Sequence, residues 1–461
     1  MNPTALAELS RRLPTLRLLH QPAELEHYGR DWTRRWTPAP LAIALPASVE
    51  DVQAIVRWAN EFAIALVPSG GRTGLSGGAV AAHGELVLSL ERMNRVLAFD
   101  AIDRTLTVQP GIALETVQRE AAAHGLFYPV DFAARGSCSI GGNIATNAGG
   151  IRVIRYGNTR EWIAGLRAVA GNGELLELNR GLIKNSSGYD LRHLMIGSEG
   201  SLGIVVEATL KLTDPPPRSQ VMLLALPDMD ALMQVFQSFQ ARLKLQAFEF
   251  FTELALNHVL AHGAQRAIDG EHPYYVVTEF DAPDERAQEA ALAAFEHGAE
   301  QGWIVDGVIA QSEAQAAALW RLREGITESL APHKPYKNDI SVRISAVPAF
   351  LHEMQTLLTR EYPQFEVIWF GHIGDGNLHI NVLKPAALAD AEFIAQCEHV
   401  TKRLAATLQR HGGSISAEHG IGLVKKAYLD STRSTAEIAL MRGLRRVFDP
   451  NGVLNPGKLF D

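Results

Sequence analysis

Three glycine-rich turns fall between residues 68 and 204, each next to a strand-like run, and they restrict what this chain can fold into more than any other feature. The first is Pro68-Ser69-Gly70-Gly71-Arg72-Thr73-Gly74-Leu75-Ser76-Gly77-Gly78, directly after the apolar run 63–67. Glycines let main-chain N–H groups approach phosphate oxygens with no Cβ in the way, and Ser69, Thr73 and Ser76 add hydroxyl donors. The spacing is neither the GxGxxG dinucleotide fingerprint nor the GxxxxGK[ST] P-loop, so on spacing alone a phosphate cradle and a plain surface loop are equally open. The second turn is Ser139-Ile140-Gly141-Gly142-Asn143-Ile144-Ala145-Thr146-Asn147-Ala148-Gly149-Gly150, with Tyr156-Gly157 after it. It is nearly uncharged, and a flat ring system can lie against such a chain. The third is Gly197-Ser198-Glu199-Gly200-Ser201-Leu202-Gly203-Ile204. Singly each reads as a loop. Three of them between well-patterned segments point to ordered, ligand-lining chain.

The segments around these turns are patterned. Residues 41–45 read as a strand. Ser48 and Asp51 then resemble a capping box, Val49, Val52, Ile55, Val56, Ala59 and Phe62 recur at helical spacing, and 63–67 is a second strand. This is a β-α-β unit that delivers the chain to the first turn. Strand-like runs follow at 85–90, 95–100 and 105–109, with a helix over 113–124 that Gly125 ends, and strands at 166–170, 175–178 and 203–212. Pro215-Pro216-Pro217 can continue neither a helix nor a central strand, so a domain boundary is placed there. Beyond it, strands at 220–226, 246–251 and 274–280 alternate with amphipathic helices, and 303–383 has the same rhythm. The expectation is α+β, with helices on one face of an antiparallel sheet. The organisation expected is a segment at 1–37, a first domain at 38–214, a second at 219–413, and a C-terminal segment at 414–461.

Composition narrows the function. A net charge of -8 leaves no basic excess for nucleic acid. Two cysteines make neither a disulfide framework nor a zinc ribbon, and suit a reducing cytoplasm. The N-terminal stretch lacks the apolar core of a secretory signal, and no run approaches the roughly 20 apolar residues of a membrane span.

Further along, Gly371-His372-Ile373-Gly374-Asp375-Gly376-Asn377-Leu378-His379-Ile380-Asn381 makes a tight turn entering a strand, with His379 and Asn381 on one strand face. Ser416-Ala417-Glu418-His419-Gly420-Ile421-Gly422 sets an acid beside a histidine between glycines. Two histidines and a carboxylate match a zinc-type site with open positions. Among 16 histidines, a pair seven apart also arises by chance, and spacing leaves both readings open. Arg323 and Thr327 are four apart on an expected helix and so share a face. Arginine suits bidentate carboxylate binding, and Lys337 adds a cation. A solvated helix face is the alternative.

The three turns, in this order, resemble the FAD-binding domain of the vanillyl-alcohol oxidase and p-cresol methylhydroxylase superfamily, over about 38–212. GHIGDGNLHIN and SAEHGIG resemble the metal-site motifs of the FAD-linked D-2-hydroxy acid dehydrogenases. The LWRLREGIT and YKNDIS segments are most similar to the D-2-hydroxyglutarate enzymes of that family, and the Asn455-Pro456-Gly457-Lys458 terminus fits as well. The resemblance implies a two-subdomain FAD-binding domain, an α+β substrate domain with an antiparallel sheet, and a C-terminal return to the flavin. No histidine stands in 68–78, so FAD would be non-covalent. It would be held by Pro68, Ser69, Gly70, Gly71, Arg72, Thr73, Gly74, Leu75 and Ser76, by Pro129, Asp131, Ser137, Ser139, Ile140, Gly141, Gly142, Asn143, Ala145, Thr146, Asn147, Gly149, Tyr156 and Gly157, and by Glu199, Gly200, Gly203, Ile204 and Asn455. By the same resemblance His372, His379 and Glu418 would bind Zn2+ or a similar divalent metal, and His419 would be the base. Arg323, Thr327, Lys337 and Asn381 would meet the substrate.

The chemistry implied is removal of a hydroxyl proton and transfer of the C2 hydrogen, as hydride, to the flavin, with a metal lowering the hydroxyl pKa. The substrate expected is D-2-hydroxyglutarate. D-lactate or glycolate dehydrogenase is the near alternative, and a flavin-binding subunit of a larger oxidoreductase the distant one. The resemblance favours electron-transfer flavoprotein as the electron acceptor and allows a homodimer. Arg343 stands where a neutral residue is expected, and either joins the pocket or points to solvent.

Overall fold

The computed structural model describes residues 3–460 and divides into two compact units. One consists of residues 1–150, 158–215 and 418–461, the other of 151–157 and 216–417. Among the described residues no helix is long and apolar enough to cross a membrane.

The first unit holds two sheets. In the smaller, strands Ala42–Leu45, Leu86–Ser89 and Leu66–Ser69 run parallel, with Arg17–Leu19 antiparallel at one edge. The helix Val49–Phe62 crosses between the first and last of these strands. Ser48 accepts a hydrogen bond from the Asp51 N–H, and the reciprocal capping box is complete. Its buried stripe, Val52, Ile55, Val56, Trp58 and Ala59, belongs to the core that also takes in Ala42, Leu66 and Leu86. The other sheet is five-stranded and antiparallel, in the order Val96–Asp100, Thr105–Val108, Ile204–Lys211, Ile163–Val169, Leu175–Leu178. The C-terminal stretch returns to this unit: Leu66 donates its N–H to Val453 O, and Asn455 donates to Leu66 O.

The second unit is built on a seven-stranded antiparallel sheet. Its order is Asp306–Ile309, Ser219–Leu226, Tyr274–Asp281, Leu245–Thr252, Val367–Gly371, Asn377–Val382, Tyr336–Ser341. Helices cover both of its faces, not one. Phe236 of the helix Met229–Arg242 packs edge-on against Phe248, while Leu256, Leu319, Leu322 and Ile326 share a core with Phe251 and Phe370 of the opposite face. The central strands account for the difference. In Leu245–Thr252 every residue but the last is buried, so both of its faces need cover.

Candidate active site

In the first unit the three glycine-rich turns form one packed surface, and the packing depends on absent side chains. A Cβ on Gly70 would lie 2.0 Å from Ser139 Oγ, and one on Gly71 would lie 2.0 Å from the Ser137 carbonyl oxygen. The first turn therefore lies directly on the start of the second. Gly150, at φ +128°, leaves no room for a Cβ beside Asp131 O, and Gly200, at φ +72°, sits against Pro68. By contrast, nothing lies within 4 Å of the Cβ position of Gly74, which is exposed. Arg72, Asn147, Glu199 and Asn455 all take left-handed backbone conformations. Such strain persists only where the surroundings hold it, and these four are among the expected cofactor residues.

The side chains fill in this frame. Ser139 Oγ accepts from the Gly142 N–H, and Thr146 Oγ1 donates to Gly142 O. Arg72 lies over the Tyr28 ring at 4.4 Å. Pro129, Ile140 and Asn143 are buried, Ser137 is exposed, and Asp131 pairs with Arg135. Asn455 Nδ2 donates to Gly78 O at 2.9 Å and to Glu199 O at 2.8 Å, so the C-terminal return ties the first turn to the third. Ser69 Oγ and Asn455 Oδ1 are buried without a hydrogen-bond partner among the described residues. Buried polar atoms in native proteins are nearly always paired, so these two fit a polar ligand lying on the surface of the turns.

The Glu418–Gly422 turn belongs to this unit too. Glu418 Oε1 accepts from the Gly150 N–H at 3.0 Å. Glu199, fully buried, accepts from the N–H groups of Ile421 at 2.7 Å and Gly422 at 2.9 Å. A Cβ on Gly422 would lie 2.2 Å from Ser76 O, and Val424 donates to that same oxygen. His419 is thus carried on a turn clamped from both sides. Burial raises the Glu199 carboxyl to about 7 although the two N–H donors pull the other way.

In the second unit the sheet register gathers the remaining residues. Lys337 is opposite Asn381, Asp339 is opposite His379, and Phe370 is also opposite His379. Paired and alternate residues share a sheet face, so Lys337, Asp339, Phe370, His379 and Asn381 lie together. Phe250 is opposite Gly371, which sets Glu249 beside His372 just beyond the strand end. His372 Nδ1 is 2.9 Å from Glu249 Oε1, and the His372 and His379 rings are 5.3 Å apart. His379 Nδ1 is 3.7 Å from Asp339 Oδ1, an ion-pair distance. Arg323 is buried, 2.9 Å from Glu249 Oε2 and 4.9 Å over the Phe370 ring. The site thus continues the apolar face that holds Val277, Phe251 and Ile368.

Lys337 is half-buried on this face, and burial alone pulls its ammonium below the usual value. Asn381 is buried. The expected helix through 323–327 is interrupted: Glu313–Glu324 ends at Gly325 and Ile326–Leu330 begins there, leaving Arg323 buried and Thr327 exposed. Arg343 is exposed. Tyr156 and Gly157 fall in the second unit, on a short helix that Arg152 and Arg155 bind to Gln246 and Asp281. Two participants escaped the sequence reading. Asp339 stood in the quoted YKNDIS segment, in step with Lys337. Glu249 is a lone acid in an apolar strand, a signal that periodicity hides.

A glycine-lined surface in one unit and a histidine-carboxylate sheet face in the other are the features expected of the class of two-part flavoenzymes. Comparison with known proteins gives the same class. Residues 40–179 match the FAD binding domain model, and residues 215–459 match the model of the C-terminal domain of FAD linked oxidases. The chain belongs to the FAD-linked oxidase family. Within it, the chain is 72% identical to a D-2-hydroxyglutarate dehydrogenase of Xanthomonas citri pv. viticola, over 100% of this chain and 98% of that one. It is 53% identical to a D-2-hydroxyglutarate dehydrogenase of Stutzerimonas stutzeri, over 100% and 99%. Among solved structures, p-cresol methylhydroxylase with substrate bound superimposes with a TM-score of 0.77 at 14% identity, covering 99% of this chain and 96% of the other. At that identity the likeness concerns the fold, and it agrees with the α+β architecture.

Proposed function

We propose that this chain oxidises D-2-hydroxyglutarate to 2-oxoglutarate, using FAD bound to the three glycine-rich turns of residues 38–214 and to the return over 414–461. The observation that carries the reading is the single sheet face of the 219–413 domain, where Lys337 and Asn381 stand beside His379 and His372, with Arg323 packed against it. A dicarboxylate needs cations at both ends, and Arg323 and Lys337 supply two charges where lactate needs one. Thr327, exposed at the helix break, is assigned to the same carboxylate site.

The glycine-rich turns would hold FAD, which would supply the hydride-accepting chemistry. The chain's own residues do the rest. His419, on its clamped turn, takes the hydroxyl proton. His372, His379 and Glu418 are assigned to a divalent metal, zinc being the first candidate, which lowers the hydroxyl pKa. Support comes from the donor set. Each histidine turns Nδ1 toward a carboxylate, Glu249 or Asp339, which is the usual arrangement around metal-binding imidazoles. Ser414 pairs with Ser341 beside this face, and Glu418 follows four residues later. The acceptor assigned is electron-transfer flavoprotein.

The test is turnover by the purified chain with a dye acceptor on D-2-hydroxyglutarate, D-lactate and glycolate. A strong preference for the first is expected, and a strong preference for lactate refutes the assignment. Full activity in a metal-free preparation refutes the metal.

A further inference from the structure

We infer that Glu249 is a positioning residue for His372: its carboxylate, with the Arg323 guanidinium beside it, fixes the imidazole as the Nδ1–H tautomer, so that Nε2 carries the lone pair a metal requires. The inference rests on the metal reading above and adds to it a residue outside the ligand set.

Four observations converge on Glu249. It is 1% exposed and is the one charged residue of a buried strand. Both of its oxygens lie within hydrogen-bond distance of His372 Nδ1, at 2.9 and 2.8 Å. Its Oε2 is also 2.9 Å from Arg323 Nη2. Arg323 in turn lies over the Phe370 ring at 4.9 Å. A carboxylate only accepts, so the nitrogen facing it carries the proton, and in a neutral ring the lone pair is left on Nε2. The Arg323 guanidinium, 2.9 Å from Oε2, balances the charge of the carboxylate in this buried site. A glutamine cannot replace it. Its amide offers one accepting oxygen and one donating nitrogen, and both neighbours are donors, so one of the two contacts becomes donor against donor.

This gives Arg323 a second duty. The arginine assigned to a substrate carboxylate is also the counter-charge of the acid that aims a metal ligand. Binding of the dicarboxylate and aiming of His372 therefore share one side chain.

The experiment uses the FAD-loaded chain. Zinc affinity of the parent and of Glu249→Gln is measured by chelator competition, with FAD content and melting temperature as checks on folding. Loss of such an outer partner costs roughly 10–100-fold in metal affinity, and that loss with FAD content unchanged is expected. Zinc affinity within twofold of the parent overturns the inference. In parallel, the 15N histidine spectrum of the zinc-free parent is compared with that of His372→Asn to assign the His372 nitrogens. A protonated Nδ1 and a bare Nε2 are expected, and the opposite tautomer overturns the inference even if Glu249→Gln fails to fold. A parent that takes up no zinc, cobalt or manganese while showing the expected tautomer refutes the metal reading instead, and is distinguishable from either result above.

Discussion

Two alanine substitutions three residues apart in sequence separate the packing role of the first glycine turn from its proposed role in cofactor binding. In Gly71→Ala the new Cβ would stand 2.0 Å from Ser137 O and 2.8 Å from Cys138 Cα. Both are main-chain atoms, so no side chain can swing aside, and the first and second turns must part by more than an ångström to reach van der Waals contact. Overpacking of this kind costs about 1–3 kcal/mol, toward the upper end where backbone must move. Gly74→Ala, with nothing within 4 Å and no left-handed backbone to strain, is free in the chain alone. The assay is chemical unfolding of each apo protein, then titration with FAD. Gly71→Ala is expected to lose stability without FAD. Gly74→Ala is expected to match the parent without FAD and to bind FAD about tenfold or more weakly, which under saturating FAD appears as at least about 1.4 kcal/mol less ligand stabilisation. Apo Gly71→Ala within about 0.5 kcal/mol of the parent refutes the packing argument. An undiminished FAD affinity in Gly74→Ala refutes the cradle.

Other expectations follow from the charges. Burial holds Lys337 below its usual pKa, and a bound carboxylate favours its protonated form, so KM for the dicarboxylate is expected to rise at alkaline pH below the usual lysine value. Lys337→Met should raise KM at neutral pH by roughly 10–100-fold and flatten that limb; an unchanged pH profile of KM excludes Lys337 from the site. The Glu199 carboxyl is raised from 4.5 to about 7, so the folded state keeps a proton the unfolded chain releases. Its contribution to stability is full below pH 4.5 and is lost as pH rises through 7. Glu199→Gln should therefore gain stability relative to the parent between pH 5 and 7.5 in denaturant titrations; a constant difference across that range contradicts the assignment. Asn455→Ala removes both the donor that joins Gly78 O to Glu199 O and a buried oxygen without a partner among the described residues, and should release FAD on dilution where the parent retains it.

What was legible in the sequence was whatever is written locally. The capping box at Ser48 and Asp51, the helix behind it and the strand entering the first turn all depend on neighbours within a few residues, and all are present. The glycine turns were legible as places of close approach, but not what approaches them. That Gly70 meets Ser139 and Gly200 meets Pro68 is a tertiary fact. The helix through Arg323 and Thr327 was expected unbroken because i, i+4 spacing says nothing of Gly325. A Cβ there would stand 3.2 Å from Val259 Cγ1, so a neighbouring helix comes close at the position where the helix is interrupted.

The second unit shows why the proposed substrate site was harder to read than the glycine-rich turns. A strand buried on both faces has no alternation to reveal its inside, and Leu245–Thr252 is buried at every position but the last. Register decides everything there. Once Phe370 is opposite His379 and Phe250 opposite Gly371, Glu249, His372, His379 and Lys337 share a face with Phe251 and Ile368. A shift of one residue in either pairing would send these side chains to the opposite face, where Phe248 packs against Phe236. The hydrophobic residues that fix the register are thus what bring the polar ones together. Substitutions in Phe251 or Phe370 should weaken substrate binding as well as the fold, although neither side chain carries a polar group.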